Sequence, residues 1–532
     1  MSTLIGTTGN DTLFGSTAIS TFVRGIDGDD RLVSQVSLST LAGGKGDDLL
    51  ELQQGDGSTV VILPGQGDDT VSISGMSTLV DLRIARGLGT SFNLGDDVFA
   101  FDGVAAEGVF VRGTMKGGDG DDTVRLGGGT DLNGAIVTTN VGDDFFSVSG
   151  TTALNFINSR VGLGKGADSA VISIDSADLI LNSFTMNGGE GADTINILAN
   201  TGVYASGNNI FALGGGADKL SAVLSVNSGF SSGTTNLIGD SGKDTIELTI
   251  NGAITGAFEV NVYGDGTAVD ATAGANDLID YNWLSSAFDV QTGIIAGGAG
   301  ADLISFSAAG STAGSANIDI NGGEGADTIN LFGFTYAGTV NGGNGADIID
   351  VDLGVTALSG TLPTQNGLLF ATILGGAGDD TFQNTSFGTS VVGSTALGST
   401  AINFTIADMV TGDIFKLLGQ KVVNAAANVN ASAFATASFT SLTSVSAWGL
   451  TGAGDNNIAL FRAGDDVILQ VLAGSNGVTT ISAATASEFG IAVIRFKGNS
   501  AFATSVDGAS GALSNLDFSY TQSLNGASFN FT

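Results

Sequence analysis

The chain has 532 residues, of which 84 are glycine and two proline, and its 53 acidic against 17 basic side chains give a net charge of -36. That imbalance argues against nucleic acid or an anionic membrane surface as partner and makes metal cations the natural counterweight, while a 42% hydrophobic share separates the chain from flexible glycine-rich polymers that cannot bury a core. Histidine and cysteine are both absent, so Ser-His-Asp and Cys-His catalysis, Cys/His zinc sites and disulfides are excluded.

Taken in chain order, Met1-Ser2-Thr3-Leu4-Ile5-Gly6 has neither the basic region nor the apolar stretch of a secretory signal peptide. No run of eighteen apolar residues follows, so the expectation is of no membrane insertion and of export without a cleaved N-terminal signal. From Gly6 onward a glycine-rich turn ending in aspartate recurs. Its full form is Gly-Gly-x-Gly-x-Asp, then any residue, then an apolar one. It occurs seven times, starting at Gly43, Gly117, Gly188, Gly297, Gly322, Gly342 and Gly375, with inner glycines Gly46, Gly120, Gly191, Gly300, Gly325, Gly345 and Gly378. These copies end at Asp48, Asp122, Asp193, Asp302, Asp327, Asp347 and Asp380. Looser copies end at Asp11, Asp30, Asp69, Asp168, Asp218 and Asp244, and degenerate ones at Asp97, Asp144 and Asp277.

The final aspartates step by 25 residues through Asp168, Asp193 and Asp218, and again through Asp277, Asp302 and Asp327. Two apolar stretches fill each step, as in Thr194-Ile195-Asn196-Ile197 and Asn209-Ile210-Phe211-Ala212-Leu213. Their alternation is the strand period, with one side chain in two facing a core. Between them lies a polar stretch such as Thr201-Gly202-Val203-Tyr204-Ala205-Ser206-Gly207-Asn208. The expected fold is all-β: a parallel β-solenoid over residues 1–384, each coil of about 20–25 residues reading strand, variable turn, strand, glycine-aspartate turn.

These motifs resemble the RTX (repeat-in-toxin) family, whose Gly-Gly-x-Gly-x-Asp nonapeptide is a calcium-binding β-helix repeat. The spacing departs from the family's tandem form, in which nonapeptides follow one another directly, and implies one calcium turn per coil. The resemblance implies Ca2+ ions in a row along one edge, each between the loops of successive coils, held by the aspartates and glycine carbonyls named above. Electrostatics points the same way without the resemblance. Aspartates stacked about 5 Å apart repel by about 1 kcal/mol even in water, so a bare row opposes folding and a divalent row relieves it. Metal binding and folding are then expected to be coupled.

After Phe382 the repeats stop, and residues 385–532 are rich in Ala, Ser, Thr, Val and Phe. Asp413-Ile414-Phe415-Lys416-Leu417-Leu418 and Asp466-Val467-Ile468-Leu469-Gln470-Val471 read as strands, and Asn424-Ala425-Ala426-Ala427 as a short helix. A β-rich cap is expected, because a bare solenoid end exposes core and strand edges. Gly464-Asp465-Asp466 reads as a plain turn rather than one more calcium corner. The resemblance implies type I secretion through an uncleaved C-terminal signal, and Ala527-Ser528-Phe529-Asn530-Phe531-Thr532 has the apolar, charge-poor character of one. With no histidine and a first repeat at Gly6, the family's protease and lipase branches are not expected, and no enzyme is. The function expected is a structural constituent of an extracellular surface layer, self-associating at the cell surface through calcium, with cell-surface polysaccharide a further implied partner. The alternative is an adhesin or ligand-binding exoprotein whose variable turns contact glycans or another surface.

Overall fold

The computed structural model describes residues 2–384 apart from 16–19, 36–37, 58, 80–81, 85–94, 103–108, 128–129, 151–152, 176–177, 227–232, 253–257, 267–273, 285–290, 309–315, 334–335 and 353–369. Beyond 384 it describes 403–408, 413–418, 445–446, 457–463, 466–472, 480–481, 490–496, 518–523 and 526–531. The chain divides into two compact units, Met1–Thr267 and Ala268–Thr532, and every regular element among the described residues is a strand.

In the first unit the expected solenoid is present. Strands that follow the aspartate turn stack in parallel, among them Phe145–Gly150, Ser169–Ile174, Thr194–Ala199, Lys219–Val226 and Thr245–Gly252. The register carries Ser169 onto Thr194, Lys219 and Thr245, and Ala170 onto Ile195, Leu220 and Ile246. A second parallel sheet holds the strands that precede the turn, such as Arg160–Lys165, Thr185–Glu190, Gly202–Gly215 and Gly233–Ser241.

The alternation seen in the sequence decides which side chains go in. Ala170, Ile195, Leu220 and Ile246 form one buried file and Ile172, Ile197, Ala222 and Leu248 the next. Each fully buried aliphatic side chain contributes about 1.5–3 kcal/mol of transfer free energy. Phe156, Phe184 and Phe211 make a third file, with ring centroids 4.9 and 5.7 Å apart. Because identical positions stack coil upon coil, each coil supplies the edge hydrogen bonds of its neighbour and no coil is a complete core by itself. Coil length varies between 18 and 28 residues in this unit, as the steps from Asp30 to Asp48 and from Asp69 to Asp97 show. The turn corner stays constant while the connections absorb the difference.

The second unit repeats the plan with Leu278–Leu284, Leu303–Ala308, Thr328–Gly333, Ile348–Asp352, Thr381–Asn384 and Ile414–Leu418 on one sheet. Tyr281, Trp283 and Phe306 fill its core, with Tyr281 edge-on to Phe306 at 5.5 Å. Toward the end of the chain the pairing turns antiparallel. Ile414–Leu418 pairs antiparallel with Gly526–Phe531, which pairs in turn with Phe518–Ser523. Asn457–Ala463, Asp466–Leu472 and Gly490–Phe496 form an antiparallel group laid against Asn403–Ile406. The strands expected from Asp413 and Asp466 are thus present. The helix expected at Asn424–Ala427 and the Gly464-Asp465 turn lie outside the described residues.

Candidate cation-binding edge

The corner that ends at Asp193 is representative. Gly189 and Gly191 take φ of +121° and +140°, a region that L side chains avoid, and this bends the chain so that the Asp193 side chain folds back into the solenoid. Asp193 is 1% exposed. Its Oδ1 accepts the backbone N–H of Asp168 at 2.9 Å, and its own N–H donates to Oδ1 of Asp218 at 2.6 Å. Each carboxylate therefore belongs to one coil and caps the backbone of the previous one.

This link is continuous. In the first unit it runs through Asp11, Asp30, Asp48, Asp69, Asp97, Asp122, Asp144, Asp168, Asp193, Asp218 and Asp244. In the second it runs through Asp277, Asp302, Asp327, Asp347, Asp380 and Asp413. Every aspartate that ends a full or looser sequence copy is on one of these ladders, and the three degenerate copies sit on them as regularly as the full ones.

Only half of each inner carboxylate is satisfied by the ladder. The Oδ2 atoms of Asp48, Asp69, Asp168, Asp193, Asp218, Asp327, Asp347 and Asp380 are buried without a hydrogen-bond partner. A buried ionised oxygen in that state is strongly disfavoured. The two first copies differ: Oδ2 of Asp11 accepts from the Thr7 N–H and hydroxyl, and Oδ2 of Asp30 from the Ile26 N–H at 3.2 Å. Burial, helped by the neighbouring carboxylates, pushes Asp48, Asp122, Asp193 and Asp327 up to about 7 and Asp69 to about 8, against the partial counter-effect of the backbone N–H from the previous coil. Asp168 and Asp347 rise to about 6 for the same reason.

The glycines of the motif divide into two jobs. The inner ones, Gly46, Gly120, Gly191, Gly300, Gly325, Gly345 and Gly378, hold φ between +112° and +148°. The first ones, Gly43, Gly117, Gly188, Gly297, Gly322, Gly342 and Gly375, lie over their own aspartate: a Cβ there would stand 1.9–2.5 Å from its Oδ2. The same Cβ on Gly188 would stand 2.2 Å from Leu213 O, and on Gly322 2.3 Å from Gly342 O, each a carbonyl of the following coil. The missing side chain keeps clear a small space that a carboxylate oxygen and a carbonyl oxygen both face.

No protein-family model matches the chain, and no curated protein matches it. The fold itself decides the class. The chain is a parallel β-solenoid of repeating coils. No group of three or more carboxylates gathers at one point among the described residues.

Two features were missed in the sequence. Asp413 continues the inner ladder without a glycine pair before it; its signal was an aspartate directly preceding the apolar run Ile414–Leu418. A second, outer ladder is formed by the exposed residue just before the inner aspartate in the coils from Asp29 to Asp143. Asp47 N donates to Asp29 Oδ1, Asp68 N to Asp47, Asp96 N to Asp68, Asp121 N to Asp96 and Asp143 N to Asp121, at 2.7–3.1 Å. Its direction is opposite to that of the inner ladder. The Asp-Asp doublets in the sequence were its signal.

Proposed function

We propose that the inner aspartate ladder is a calcium row, that the chain is an RTX-type solenoid, and that it serves as a structural constituent of an extracellular surface layer rather than as an enzyme. The observation that carries the reading is the series of buried, unpartnered Oδ2 atoms repeated coil after coil, which at Asp48, Asp193, Asp327 and Asp347 border, together with a carbonyl of the next coil, a space that a glycine leaves open. Hard oxygen donors in which one carboxylate meets several carbonyls suit calcium better than softer metals. The aspartates from Asp48 to Asp380 and the carbonyls of the first-glycine positions would hold it. A bound divalent ion supplies charge compensation between coils, which neither the ladder hydrogen bonds nor the few basic residues provide. Export through a type I system and folding on meeting external calcium fit the same picture, since affinities of about 10⁻⁴–10⁻³ M are usual for extracellular calcium modules. Lateral association through bridging calcium fits a chain with 53 acidic against 17 basic side chains.

Stripping divalent ions from the purified protein and following the thermal loss of the β signal by circular dichroism tests the row: near neutral pH the signal is lost at a much lower temperature without metal, and the midpoint recovers with calcium near millimolar. A midpoint indifferent to chelation would remove the reading. Electron microscopy in calcium then tests the layer, with ordered two-dimensional sheets expected; dispersed particles that bind glycans would favour the adhesin.

A further inference from the structure

In a chain of net charge -36, an exposed cation is expected to have a carboxylate beside it. Arg31, Lys45, Lys165 and Lys219 do, each in one of the four ion pairs among the described residues. Arg83, Lys116 and Arg160 are exposed and take no part in these pairs. All three lie in the first unit, over four successive coils. Leu82–Ile84 lies beside Val109–Asp119, which pairs with Thr130–Val141, which pairs in turn with Arg160–Lys165. The register sets Thr114, Ile136 and Arg160 in one outward file and Lys116, Thr138 and Gly162 in the next. The residues between the cations in these files carry no charge, and Ile136 among them is 45% exposed. The result is a basic face with an apolar centre.

Its complement is on the same unit. The outer ladder presents Asp29, Asp47, Asp68, Asp96, Asp121 and Asp143, one per coil, all exposed and none in an ion pair among the described residues. Each spends Oδ1 on a backbone N–H of the following coil at 2.7–3.1 Å. Ala167, Ala192 and Ala217 hold that position in later coils while the inner ladder continues, so the stack does not require the outer charges.

We propose that the face formed by Arg83, Lys116 and Arg160 docks the outer aspartate row of a second copy of the chain, so that copies join side by side through direct ion pairs. The inference rests on reading the chain as one that assembles laterally, and it adds a contact that needs no bridging ion. Two arguments select a second copy as the occupant. Face and row are built on the same coil spacing, about 4.8 Å. Cations on the first, second and fourth of four coils therefore each find a carboxylate when the neighbour slides by a whole coil along the row. Like-charged copies also repel one another, so a pair of matched patches decides how they approach. Face and row are different patches, so each copy offers one to either neighbour, a heterologous contact that builds rows or rings rather than a closed pair. Exposed ion pairs are individually weak and screened by salt, so the contact gains its strength from repetition along the array.

The test uses the full chain in saturating calcium, with association followed by sedimentation velocity. Three proteins are compared: the wild type, a face variant Arg83→Glu/Lys116→Glu/Arg160→Glu, and a row variant Asp68→Lys/Asp96→Lys/Asp121→Lys. Lys243 already holds the row position in a later coil and the face residues are exposed, so both variants keep the fold, which the far-UV β signal checks. The wild type is expected to associate in about 0.01 M salt, where charges act over about 30 Å, and at least about tenfold more weakly in about 1 M, where they act over about 3 Å. Each variant alone stays monomeric, and an equal mixture associates again, because the new Glu face meets the new Lys row. Asp68→Asn/Asp96→Asn/Asp121→Asn, which keeps every acceptor, weakens association too and serves if the Lys row does not fold. Variants that associate like the wild type, association indifferent to salt, or a mixture of folded variants that stays monomeric each overturn the docking and leave a calcium-bridged layer standing. A wild type that is monomeric throughout overturns lateral assembly and this contact together. If that monomer is retained on dextran sulfate and the face variant is not, the face belongs to an acidic polysaccharide and the proposal falls.

Discussion

Within the first unit, the coils up to Asp143 and those from Asp168 onward solve the same stacking problem with different means. The earlier coils carry two carboxylate files at each corner, the inner one buried and the outer one exposed, running in opposite directions. In the later coils the outer position is Ala167, Ala192, Ala217 and then Lys243, none of which has a side-chain oxygen to accept the next N–H, yet the inner file continues without interruption to Asp244. The outer file is thus dispensable to the stack, and the inner one is not. Exposed hydrogen bonds exchange with water at little net gain, whereas the inner carboxylate serves a buried N–H that water cannot reach.

The largest effect that could break this contrast is collective and depends on pH. Without metal, the inner carboxyls Asp48, Asp69, Asp122, Asp193 and Asp327 have folded-state values raised to about 7 or 8, well above the unfolded value of about 3.9. The folded state then binds more protons than the unfolded one between those limits, so stability falls as pH rises through that window and recovers on acidification. With calcium bound the sign reverses, because the ion requires the charged form and acid expels it. Thermal melts of the stripped protein should therefore move upward from pH 8 to pH 5, and those in saturating calcium downward. Parallel shifts in both conditions would show that the inner carboxylates are not the ion's ligands.

A smaller effect separates glycines that look alike in the sequence. A Cβ on Gly191 would lie 1.6 Å from Gly166 O at φ of +140°, whereas one on Gly162 would meet nothing nearer than Thr138 Cγ2 at 3.9 Å. Gly191→Ala should cost about 3 kcal/mol or more through backbone strain and overpacking, and Gly162→Ala should be neutral or gain about 0.5 kcal/mol. Denaturant midpoints of the two variants check this, and equal midpoints would mean that the corner is not held as described.

Much of this was legible in the chain before its structure. The repeat placed every inner aspartate that follows a glycine pair, because the pattern encodes two stereochemical demands at once: positive φ at the fourth position and an open space at the first. It gave weaker notice of Asp97, Asp144 and Asp277, whose corners keep the ladder with fewer glycines, since the hydrogen bond to the aspartate needs only its own carboxylate and the backbone N–H of the previous coil. Asp413 was hidden for that reason, and its neighbour Asp408, which accepts from Gly375 N and Gly376 N at 2.9 Å each, stands where the motif has its first glycine. The outer ladder escaped because a doublet of aspartates reads as simple turn chemistry until the coils are stacked and the first of the two is seen to reach its neighbour.

The finest test of the contrast is one amide for one carboxylate on each file. Asp193→Asn keeps an oxygen for the Asp168 N–H, so the ladder bond survives and only the charge is lost. In stripped protein this removes a buried, half-satisfied anion and should leave stability unchanged or raised. In calcium a hundredfold above its Kd it forfeits one ion's linkage, about 2.7 kcal/mol, so the sign of the effect depends on the metal. Asp121→Asn makes the same exchange on an exposed residue whose bond to the Asp143 N–H the amide can also keep, and should stay within about 0.5 kcal/mol in either condition. Melts of the two variants with and without calcium give four numbers, and a metal-dependent change at Asp121 as large as that at Asp193 would place the ion between the two files rather than on the inner one.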